Sequence, residues 1–579
     1  MTDRPCVQTR HQIHALLNGS FPLKHGTLRV MSEKTTLSNQ PNSRPHARVY
    51  ADISARDIPS LMVNARNAFA NLPSEILELG RVFEDAGEEI ALVGGPVRDA
   101  FLGVDPHDFD LTTSARPDKT EELLAMWGDA VWDIGKEFGT IGGRRKNLVV
   151  EVTTYRTDSY EVGSRKPEVA FGDTLEGDLT RRDFTVNAMA MRLPSMTLVD
   201  PHNGLEDLAA SRLRTPVTAE QSFDDDPLRI MRAARFSAQL GIDVDMDIMN
   251  AMEIMASRLE IVSAERICAE LQRLIISHWP RRGLELMVHT GVAKIVLPEF
   301  ATLVETVDEH NRHKDVYEHT LTVLDQAIAL ETGPDGPVPG PDFILRFAAL
   351  MHDVGKPDTR VFEKNGTVSF HHHEIVGAKM TRKRMRALKF DKATTQAVEK
   401  LVSLHLRFHG YGEVAWSDSA VRRYVADAGD QLERLHRLTR ADCTTRNRRK
   451  AMMLSSAYDD LENRIVALRE QEELDAIRPD LDGDQIMEIL GLRPSRAVKL
   501  ARDYLMELRL ENGPMGEEAA KAALLDWWSS EEIREIAAEY QAQQAHWESL
   551  VAKKRAKKAA AKAKRQSELA DETVPTSAD

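Results

Sequence analysis

This chain of 579 residues has few cysteines, no long apolar run and no surplus of basic charge. Its three cysteines, Cys6, Cys268 and Cys443, lie far apart without a CxxC pair, which excludes a disulfide scaffold and a thiolate zinc site. No run approaches the roughly 18 apolar residues that span a bilayer, and the first thirty residues lack the apolar core of a signal peptide. We therefore expect a cytoplasmic protein that spans no membrane.

The charge balance limits how the chain can bind a polyanion. It has 76 basic and 91 acidic residues, which give a net charge of −15. Any nucleic acid must therefore be bound by local basic patches and not by the overall field. The length also exceeds what one hydrophobic core holds, about 250–300 residues, so several domains are expected.

Hydrophobic periodicity predicts two kinds of architecture along the chain. The order helix, strand, helix, strand, strand over 72–156 is typical of a small mixed α/β domain. From about residue 216 the strand signal vanishes and the remaining segments have helical periodicity. The expected fold class is an α/β head followed by an all-α body.

A glycine pair in the head suits phosphate binding. Gly94 and Gly95 follow the apolar strand EIALV and precede the helix PVRDAFLG. Backbone amides left open by glycine near a helix start can donate to phosphate oxygens, and Arg98 could reach the same anion. A plain tight turn is the alternative.

Three acidic residues predict a magnesium site. Asp108 and Asp110 flank Phe109 in the strand HDFDLTT, so both carboxylates point to one face. Hard oxygen ligands at this spacing favour Mg²⁺ that bridges substrate phosphates, although a bare DxD also occurs in turns. Glu151 lies within the apolar strand LVVEV and is a candidate third ligand.

Two further segments combine basic and acidic side chains. RRDFTVNAMA (181–190) is expected to open a helix, and a bound triphosphate would explain its two arginines. Asp226 and Arg229 offer an acceptor and a planar donor fork on adjacent turns, which can pair with the edge of a base. Arg232 and Arg235 continue the row at three-residue spacing, which would otherwise be read as a solvated basic face.

A second set of candidate ligands follows in the helical half. His319, then His352 with Asp353, then His373, His405 and finally Asp442 occur in helical segments. Imidazole and carboxylate ligands suit Mn²⁺, Ni²⁺, Fe²⁺ or Zn²⁺. A buried His-Asp pair needs a metal or partner, and six such residues in order are not expected from core packing alone. His371 and His372 compete with His373 for its role.

The head motifs together resemble those of class II tRNA nucleotidyltransferases, the CCA-adding enzymes of the polymerase-beta-like superfamily. LVGGPVRDAFLG, HDFDLTT, EVTTYR, RRDFTVNAMA and DDDPLRIMRAARFSAQLG occur in that family's order over roughly residues 70–300. The resemblance implies Mg²⁺ on Asp108 and Asp110 and addition of CMP, CMP and AMP to the tRNA 3′ end. It places phosphate binding on Gly95, Arg98 and Arg182, and base selection on Asp226 and Arg229. Asp225 stands where the family usually has Glu.

Residues 313–445 resemble the HD phosphohydrolase superfamily. The resemblance implies first-metal ligands at His319, His352, Asp353 and Asp442, with His373 and His405 matching the extra histidines of two-metal members. The implied substrates are CTP, ATP and tRNA, and no obligate protein partner is inferred. Two alternatives stay open: a bacterial poly(A) polymerase, and an HD phosphohydrolase whose head only binds RNA.

Basic stretches at 432–450 and 553–565 are candidate RNA-binding surfaces, although the second also fits a solvated helical extension.

The expected division of the chain into six segments is as follows. A polar, flexible N-terminal extension (1–70) precedes the nucleotidyltransferase head (71–215), the helical neck for base recognition and RNA binding (216–300), the HD domain (301–455), a helical C-terminal body (456–550) and a basic tail (551–579).

Overall fold

The computed structural model of the protein describes most of the chain from Asp57 to Asp571. The described residues are 57–105, 109–159, 168–306, 316–364, 368–408, 411, 416–445, 447–472, 478–531 and 533–571. The chain separates into two compact units, Met1–His405 and Leu406–Asp579, which are described one at a time. No helix among the described residues is long and apolar enough to cross a membrane.

A mixed seven-stranded sheet forms the head of the first unit. Its strands in chain order are β1 (Ile90–Val93), β2 (Phe109–Thr113), β3 (Ala130–Trp132), β4 (Thr140–Arg145), β5 (Leu148–Thr154), β8 (Ala190–Leu193) and β9 (Thr197–Val199). They lie in the order β3-β4-β5-β2-β1-β8-β9. Only β2 and β5 pair in parallel; the other neighbours are antiparallel. Strands β6 (Arg156–Ser159) and β7 (Glu168–Phe171) form a separate hairpin.

Helices cover this sheet and continue the chain into the neck. The head helices are α1 (Ile58–Ala70), α2 (Ser74–Asp85), α3 (Gly95–Phe101), α4 (Pro117–Trp127), α5 (Leu175–Thr180) and α6 (Gly204–Ala209). The neck consists of α7 (Ala219–Asp225), α8 (Leu228–Leu240), α9 (Met246–Met255), α10 (Ala264–Ile275), α11 (Pro280–His289), α12 (Val292–Val296) and α13 (Pro298–Ala301), with short strands β10 (Arg212–Leu213) and β11 (Asp243–Val244). Helix α8 packs against α10 and α11 and is buried along nearly its whole length.

The described residues of the rest of the first unit form helices, one small hairpin and an isolated bridge between Thr332 and Pro339. Its helices are α14 (Val316–Ala329), α15 (Phe343–Met351), α16 (Lys356–Thr359), α17 (His373–Ala387) and α18 (Lys392–Leu404), and the hairpin pairs β12 (Val361–Phe362) with β13 (Val368–Ser369). Helix α15 is apolar except for Arg346, which pairs with Glu331, and it is buried from Leu345 to Met351. A largely apolar helix belongs in a core, and α15 packs against α14 and α18.

The second unit is helical in the part that the structure describes. Its helices are α19 (Asp418–Ala428), α20 (Leu432–Asp442), α21 (Arg448–Glu472), α22 (Gly483–Leu490), α23 (Arg496–Asn512), α24 (Glu517–Ser529) and α25 (Arg534–Asp571). A core that includes Leu481, Ile486, Leu505 and Leu524 joins α22, α23 and α24. The expected fold class, an α/β head followed by a helical body, is confirmed.

Two expectations about local structure are wrong. Residues 58–70 are not part of a flexible extension, because helix α1 buries Leu61, Met62 and Phe69 and packs against α3 and α6. The segment 181–190 is not a helix; it forms a 3-10 turn at 185–187 and then enters β8. The helical pattern misled because Asp183 and Asn187 use their side chains to fix this turn.

The expected segment boundaries in the helical half do not coincide with the ends of elements. The boundary at 300/301 falls inside α13, the one at 455/456 inside α21, and the one at 550/551 inside α25. Helices α21 and α25 contain no Gly or Pro that would interrupt them. The changes in residue composition near 455 and 550 therefore occur within continuous helices and do not mark the end of an element. The expected HD segment 301–455 also spans both compact units.

Candidate active sites

An open cavity of about 410 Å³ lies between the sheet and helix α8. Charged side chains of both signs line it. The basic ones are Arg98, Arg182, Arg232 and Arg235, and the acidic ones are Asp99, Asp105, Asp110 and Asp183. The remaining lining residues are Gly94, Gly95, Pro96, Val104, Asn187, Phe236 and Gln239. Four guanidinium groups around one opening suit a highly charged anion, and the nearby carboxylates suit a cation bound with it.

Two of the predicted acidic residues are neighbours in the sheet, and one of them, Asp110, lines this cavity. Asp110 on β2 pairs in register with Glu151 on the parallel strand β5. Neighbouring strands lie about 4.8 Å apart, so the two side chains project side by side on the same face. Both are exposed, whereas Phe109 between the two aspartates is buried as expected. Asp108 lies outside the described residues, and its role as a ligand stays a prediction.

The glycine turn is shaped around an arginine. Gly94 has φ +73°, a backbone conformation that favours glycine, and a Cβ there would lie 3.2 Å from Nη1 of Arg182. Arg98 follows on α3 and is 4% exposed. Its Nη1 donates to Oδ1 of Asn187 at 2.6 Å, and its Nη2 donates to Oδ1 of Asp99 at 2.7 Å. The side chain that was expected to bind phosphate is therefore held in place before any ligand arrives.

A buried carboxylate that sequence reasoning overlooked pairs with both arginines of RRD. Asp178 on α5 is fully buried. Its Oδ1 accepts from Nη2 of Arg181 at 2.6 Å, and its Oδ2 accepts from Nη2 of Arg182 at 3.2 Å and from Oγ1 of Thr112 at 3.3 Å. Burial alone would raise the pKa of Asp178, but the charges of Arg182 and Arg181 lower it. The sequence suggested that a bound triphosphate explains Arg181 and Arg182. In the structure Asp178 already balances the charge of both arginines.

Two arginines of the neck reach the same cavity. Arg232 on α8 makes a two-point contact with Oδ2 of Asp183, which also accepts from Asn187 through Oδ1 at 3.1 Å. Burial would raise the pKa of Asp183, but Arg232 and Asn187 lower it to about 2. Arg235 is buried, and its Nε lies 3.2 Å from Oε2 of the buried Glu270. These arginines are not the solvated face that their spacing also allowed.

Asp226 and Arg229, the residues expected to select the base, do not line the cavity. Asp226 forms an ion pair with Arg266, Oδ2 to Nη2 at 2.9 Å. Arg229 is buried and donates through Nη1 to Oγ of Ser222 at 2.8 Å and through Nη2 to the carbonyl of Arg181. Neither Asp226 nor Arg229 is among the residues that line the cavity. Their role in base selection stays a prediction.

A second cluster of titratable residues lies deep in the helical part of the first unit. Asp353 is 1% exposed, and its Oδ2 lies 3.2 Å from Nε2 of His352 and 3.5 Å from Nε2 of His319. Its Oδ1 lies 3.3 Å from Nε2 of His373. Donor atoms of Asp353, His373 and His405 also lie within 4.8 Å of one another. We call these five residues, His319, His352, Asp353, His373 and His405, the HD cluster.

The histidines of the HD cluster are oriented for metal binding. Nδ1 of His352 donates to the carbonyl of Ala349 at 2.8 Å, that of His373 to Phe370 at 2.8 Å, and that of His405 to Val402 at 2.7 Å. This hydrogen bond fixes the orientation of each ring and leaves Nε2 as the nitrogen that can bind a metal ion. Ligands about 2.1 Å from one ion and at right angles lie about 3 Å apart, which fits the distances around Asp353.

The charge of Asp353 is maintained by its surroundings. Burial would raise its pKa, but His352 and Lys356 lower it well below the usual range, and Nζ of Lys356 lies 2.8 Å from Oδ2. His371 and His372 are exposed, so His373 is the one of the three histidines that reaches the cluster. Asp442, the last expected ligand, ends helix α20 in the second unit. Its participation stays a prediction.

Three family models match consecutive parts of the chain. Residues 90–214 match the Poly A polymerase head domain, and residues 241–303 match the probable RNA and SrmB-binding site of polymerase A. Residues 316–447 match the HD domain. The HD cluster lies within the last of these segments. The cavity residues from Gly94 to Asn187 lie within the first, and those on α8 lie between the first segment and the second.

A relative that spans almost the same architecture decides the family. The A-adding tRNA nucleotidyltransferase of Deinococcus radiodurans is 32% identical over 451 residues, which cover 76% of this chain and 96% of that enzyme. The chain belongs to the tRNA nucleotidyltransferase family. The family is defined by nucleotidyl transfer, so the chain is an enzyme, as the resemblance of the head motifs implied.

Two further tRNA nucleotidyltransferases show how far the likeness extends. The CCA-adding enzyme of Streptococcus gordonii is 40% identical over 229 residues, 39% of this chain, and the match spans 56% of that enzyme. The crystal structure of the Bacillus stearothermophilus CCA-adding enzyme in complex with CTP is similar in fold, with a TM-score of 0.56 and 24% identity. That likeness covers 78% of this chain and 96% of the other.

Sequence reasoning missed the residues that hold the arginines, namely Asp178, Asn187 and Glu270. The pattern did contain a signal for Asp178. It precedes Arg181 by three residues and Arg182 by four, the spacing at which side chains on one turn pair. Glu270 gave no local signal, because it is 35 residues beyond Arg235 and meets it only through the packing of α8 on α10.

Proposed function

We propose that the head adds CMP, CMP and AMP in turn to the 3′ end of tRNA from CTP and ATP. One observation supports this above the others: Asp110 and Glu151 project side by side from parallel strands, and Asp110 lines a cavity that also holds four arginines. Such a combination of carboxylates and guanidinium groups fits a nucleoside triphosphate with its bound cation.

Each part of the cavity has a proposed role. Arg98, Arg182, Arg232 and Arg235 bind the triphosphate, beside backbone amides of Gly94 and Gly95. Asp110, with Asp108 and Glu151 as the sequence predicts, would hold Mg²⁺, which neutralises charge on the triphosphate when bound. Asn187 and Asp183 orient Arg98 and Arg232 through the hydrogen bonds described above.

The reaction proposed for this site is an in-line displacement. The tRNA 3′-oxygen forms a bond to the α-phosphorus, the bond from that phosphorus to the β-phosphate oxygen breaks, and pyrophosphate leaves. A carboxylate of the Asp108, Asp110 and Glu151 group accepts the proton of the hydroxyl. Most of the catalytic effect then comes from positioning and charge stabilisation.

The choice between completing CCA and adding only the terminal A needs a direct test, because the two relatives described above differ in this respect. We favour CCA addition because the match of higher identity, 40%, is to a CCA-adding enzyme. The test uses three tRNA transcripts that end at the discriminator base, after one C, or after both. Each is incubated with CTP alone, ATP alone, or both.

The expected pattern is two additions from CTP on the shortest transcript and one from ATP on the longest. Addition from ATP on the longest transcript alone, with no use of CTP, would show an A-adding enzyme. Long adenylate tails on every transcript would show a poly(A) polymerase. If no nucleotide is added to any of the three transcripts although the protein binds them, the head only binds RNA.

We also propose that the HD cluster is a divalent-metal phosphohydrolase site for phosphate monoesters or 2′,3′-cyclic phosphates, for example at damaged tRNA ends. The supporting observation is the set of four histidines around the buried Asp353, three of them buried and oriented by Nδ1–H to a carbonyl. A tRNA that ends in a cyclic phosphate cannot accept a nucleotide. Attack of water that breaks the bond between phosphorus and the 3′-oxygen would free the 3′-hydroxyl that the head requires and leave a 2′-phosphate, and hydrolysis of that monoester would release inorganic phosphate.

Metal analysis and phosphohydrolase assays test this second function. The purified protein should contain or take up Mn²⁺, Ni²⁺ or another divalent ion and should hydrolyse a cyclic phosphate in its presence. If no metal binds and no phosphoester is hydrolysed with Mn²⁺, Ni²⁺, Co²⁺ or Mg²⁺, the HD cluster is a structural platform.

A further inference from the structure

The last helix of the second unit, α25, carries the densest positive charge of the chain. It runs for 38 residues, Arg534–Asp571, which corresponds to about 57 Å. Ile533 and Ala537 at its start are buried, whereas every residue from 552 to 561 is exposed. The helix is therefore anchored at one end and presented to solvent along its basic half.

Five cations stand close together on this exposed half. They are Lys553, Lys554, Arg555, Lys557 and Lys558, and no acidic residue lies between 549 and 567. None of the five forms an ion pair with any described residue. At 100° per residue they cover about 200° of the helix circumference. Like charges at this spacing repel one another, so an anion bound along the helix would reduce the repulsion between these side chains.

The residue composition of α25 distinguishes between three candidate partners: a membrane, a protein groove and a nucleic acid. Between 552 and 568 it contains no apolar residue larger than alanine. A helix that lies in a membrane interface needs an apolar face with residues such as Trp, Phe or Leu, and a helix that docks in a protein groove needs apolar anchors. Phosphate groups spaced along a nucleic acid need only the positive charge.

We propose that residues 553–558 of α25 bind the phosphodiester backbone of the RNA substrate, without reading its sequence. The identity of that RNA as tRNA rests on the function proposed above. The chain as a whole carries −15, so this local charge would offset the repulsion that a polyanion otherwise meets. The arm should therefore strengthen RNA binding and leave the chemical step unchanged.

The test compares two quadruple variants of the full-length protein. In one, Lys553, Lys554, Lys557 and Lys558 are each replaced by Gln, which removes four charges and keeps a good helix former. In the matched control the same four are replaced by Arg, which keeps the charge. Binding of a 5′-labelled tRNA transcript that ends in CC is measured by fluorescence anisotropy between 50 and 300 mM KCl (about the physiological range).

The Gln variant should bind this RNA about tenfold more weakly near 0.1 M salt, and the slope of log K against log salt should fall by up to about 3. The Arg variant should match the parent in both. At saturating tRNA the turnover rate and the KM for the nucleotide should be equal in all three proteins. A sequence-unrelated RNA duplex should show the same loss as the tRNA.

Unchanged RNA affinity and salt slope in the Gln variant would overturn the proposal, and so would equal losses in the Gln and Arg variants. Binding of the parent, but not of the Gln variant, to phosphatidylglycerol vesicles without any change in RNA affinity would assign the arm to membranes instead. Binding is measured without catalysis, so a parent that binds RNA through the arm yet adds no nucleotide refutes only the function proposed for the head.

Discussion

Replacing Asp178 by asparagine removes the negative charge that Arg181 and Arg182 share in the head. The carboxylate is fully buried, and it accepts from both guanidinium groups and from Thr112. Arg182 in turn lies against Gly94 and lines the cavity. Asp178→Asn should therefore weaken nucleotide binding through Arg182, although Asp178 itself is not among the cavity-lining residues.

The size of the effect follows from burial. Removing one partner of a buried ion pair costs about 3–5 kcal/mol. The side chains of Arg181 and Arg182 keep 18% and 21% of their exposure, so water can still solvate them. We expect the lower end, about 3 kcal/mol of folding free energy, from Asp178→Asn. A misplaced Arg182 should raise the KM for the nucleotide about tenfold, which corresponds to ~1.4 kcal/mol.

A second buried carboxylate of the head gives a matched control. Asp207 is also fully buried and accepts from Arg212, Arg214 and Thr185, but none of these residues lines the cavity. Asp207→Asn should cost folding stability and leave the KM for the nucleotide unchanged. Urea unfolding and steady-state kinetics with varied CTP or ATP measure both quantities for both variants.

If both variants lose stability and neither changes the KM, Asp178 is a structural residue only and does not position Arg182. An Asp178→Asn variant with unchanged stability and unchanged KM would contradict both expected effects. Asp178→Glu, which keeps the charge, should recover part of the nucleotide affinity.

Three further predictions concern other parts of the molecule. Asp226→Ala or Arg229→Ala should reduce the preference for CTP and ATP over UTP and GTP by about tenfold, measured as ratios of kcat/KM. His352→Ala with Asp353→Ala should abolish metal binding and cyclic-phosphate hydrolysis and keep CCA addition on intact tRNA, within about twofold. Asp183→Asn should be less stable than the parent above pH 4. That difference in urea midpoint should shrink as pH falls from about 3.8 towards 2, because the folded pKa of Asp183 is the lower one.

Each of these has its own contrary outcome. Unchanged nucleotide preference in both Asp226→Ala and Arg229→Ala would place base selection elsewhere. Loss of CCA addition in a well-folded HD variant would show that the two activities are not separable. A stability difference for Asp183→Asn that stays constant down to pH 2 would mean that the carboxyl is not held ionised by Arg232.

The strands of the head, and the meeting of their acidic residues, could be predicted because they depend on local pattern. Alternation along HDFDLTT buries Phe109 and exposes Asp110, and the same alternation exposes Glu151 on β5. Parallel pairing of β2 and β5 then brings the two together. The pattern could not supply the register, which depends on how the strands pack.

The hydrogen-bonding partners of the arginines could not be predicted in the same way. RRDFTVNAMA has an apolar helical pattern, but its polar side chains bond locally and across the head, and these bonds override the helix. Glu270 reaches Arg235 only after α10 packs on α8. Contacts between residues distant in sequence leave no periodic signal in a single chain.

The residues of the HD cluster were easier to predict from the sequence than the partners of the arginines. Histidine and aspartate side chains are costly to bury unless they bind a metal ion or a partner. The ordered histidines and Asp353 do meet in one buried cluster, and His373 is distinguished from His371 and His372 by burial. Gly355, two residues after Asp353, lets α17 approach closely, since a Cβ there would lie 2.2 Å from the carbonyl of His373. This contact joins residues 18 positions apart and could not be predicted from the local pattern.

The most direct test of the account is single-turnover nucleotide addition by Asp110→Asn, with tRNA affinity and thermal unfolding measured on the same samples. The change keeps the size of the side chain and removes the charge that would bind the cation. We predict unchanged folding, tRNA affinity within a factor of about two, and addition slowed about a thousandfold or more. Addition at close to the parent rate would show that the cavity beside Asp110 and Glu151 is not where nucleotides are transferred.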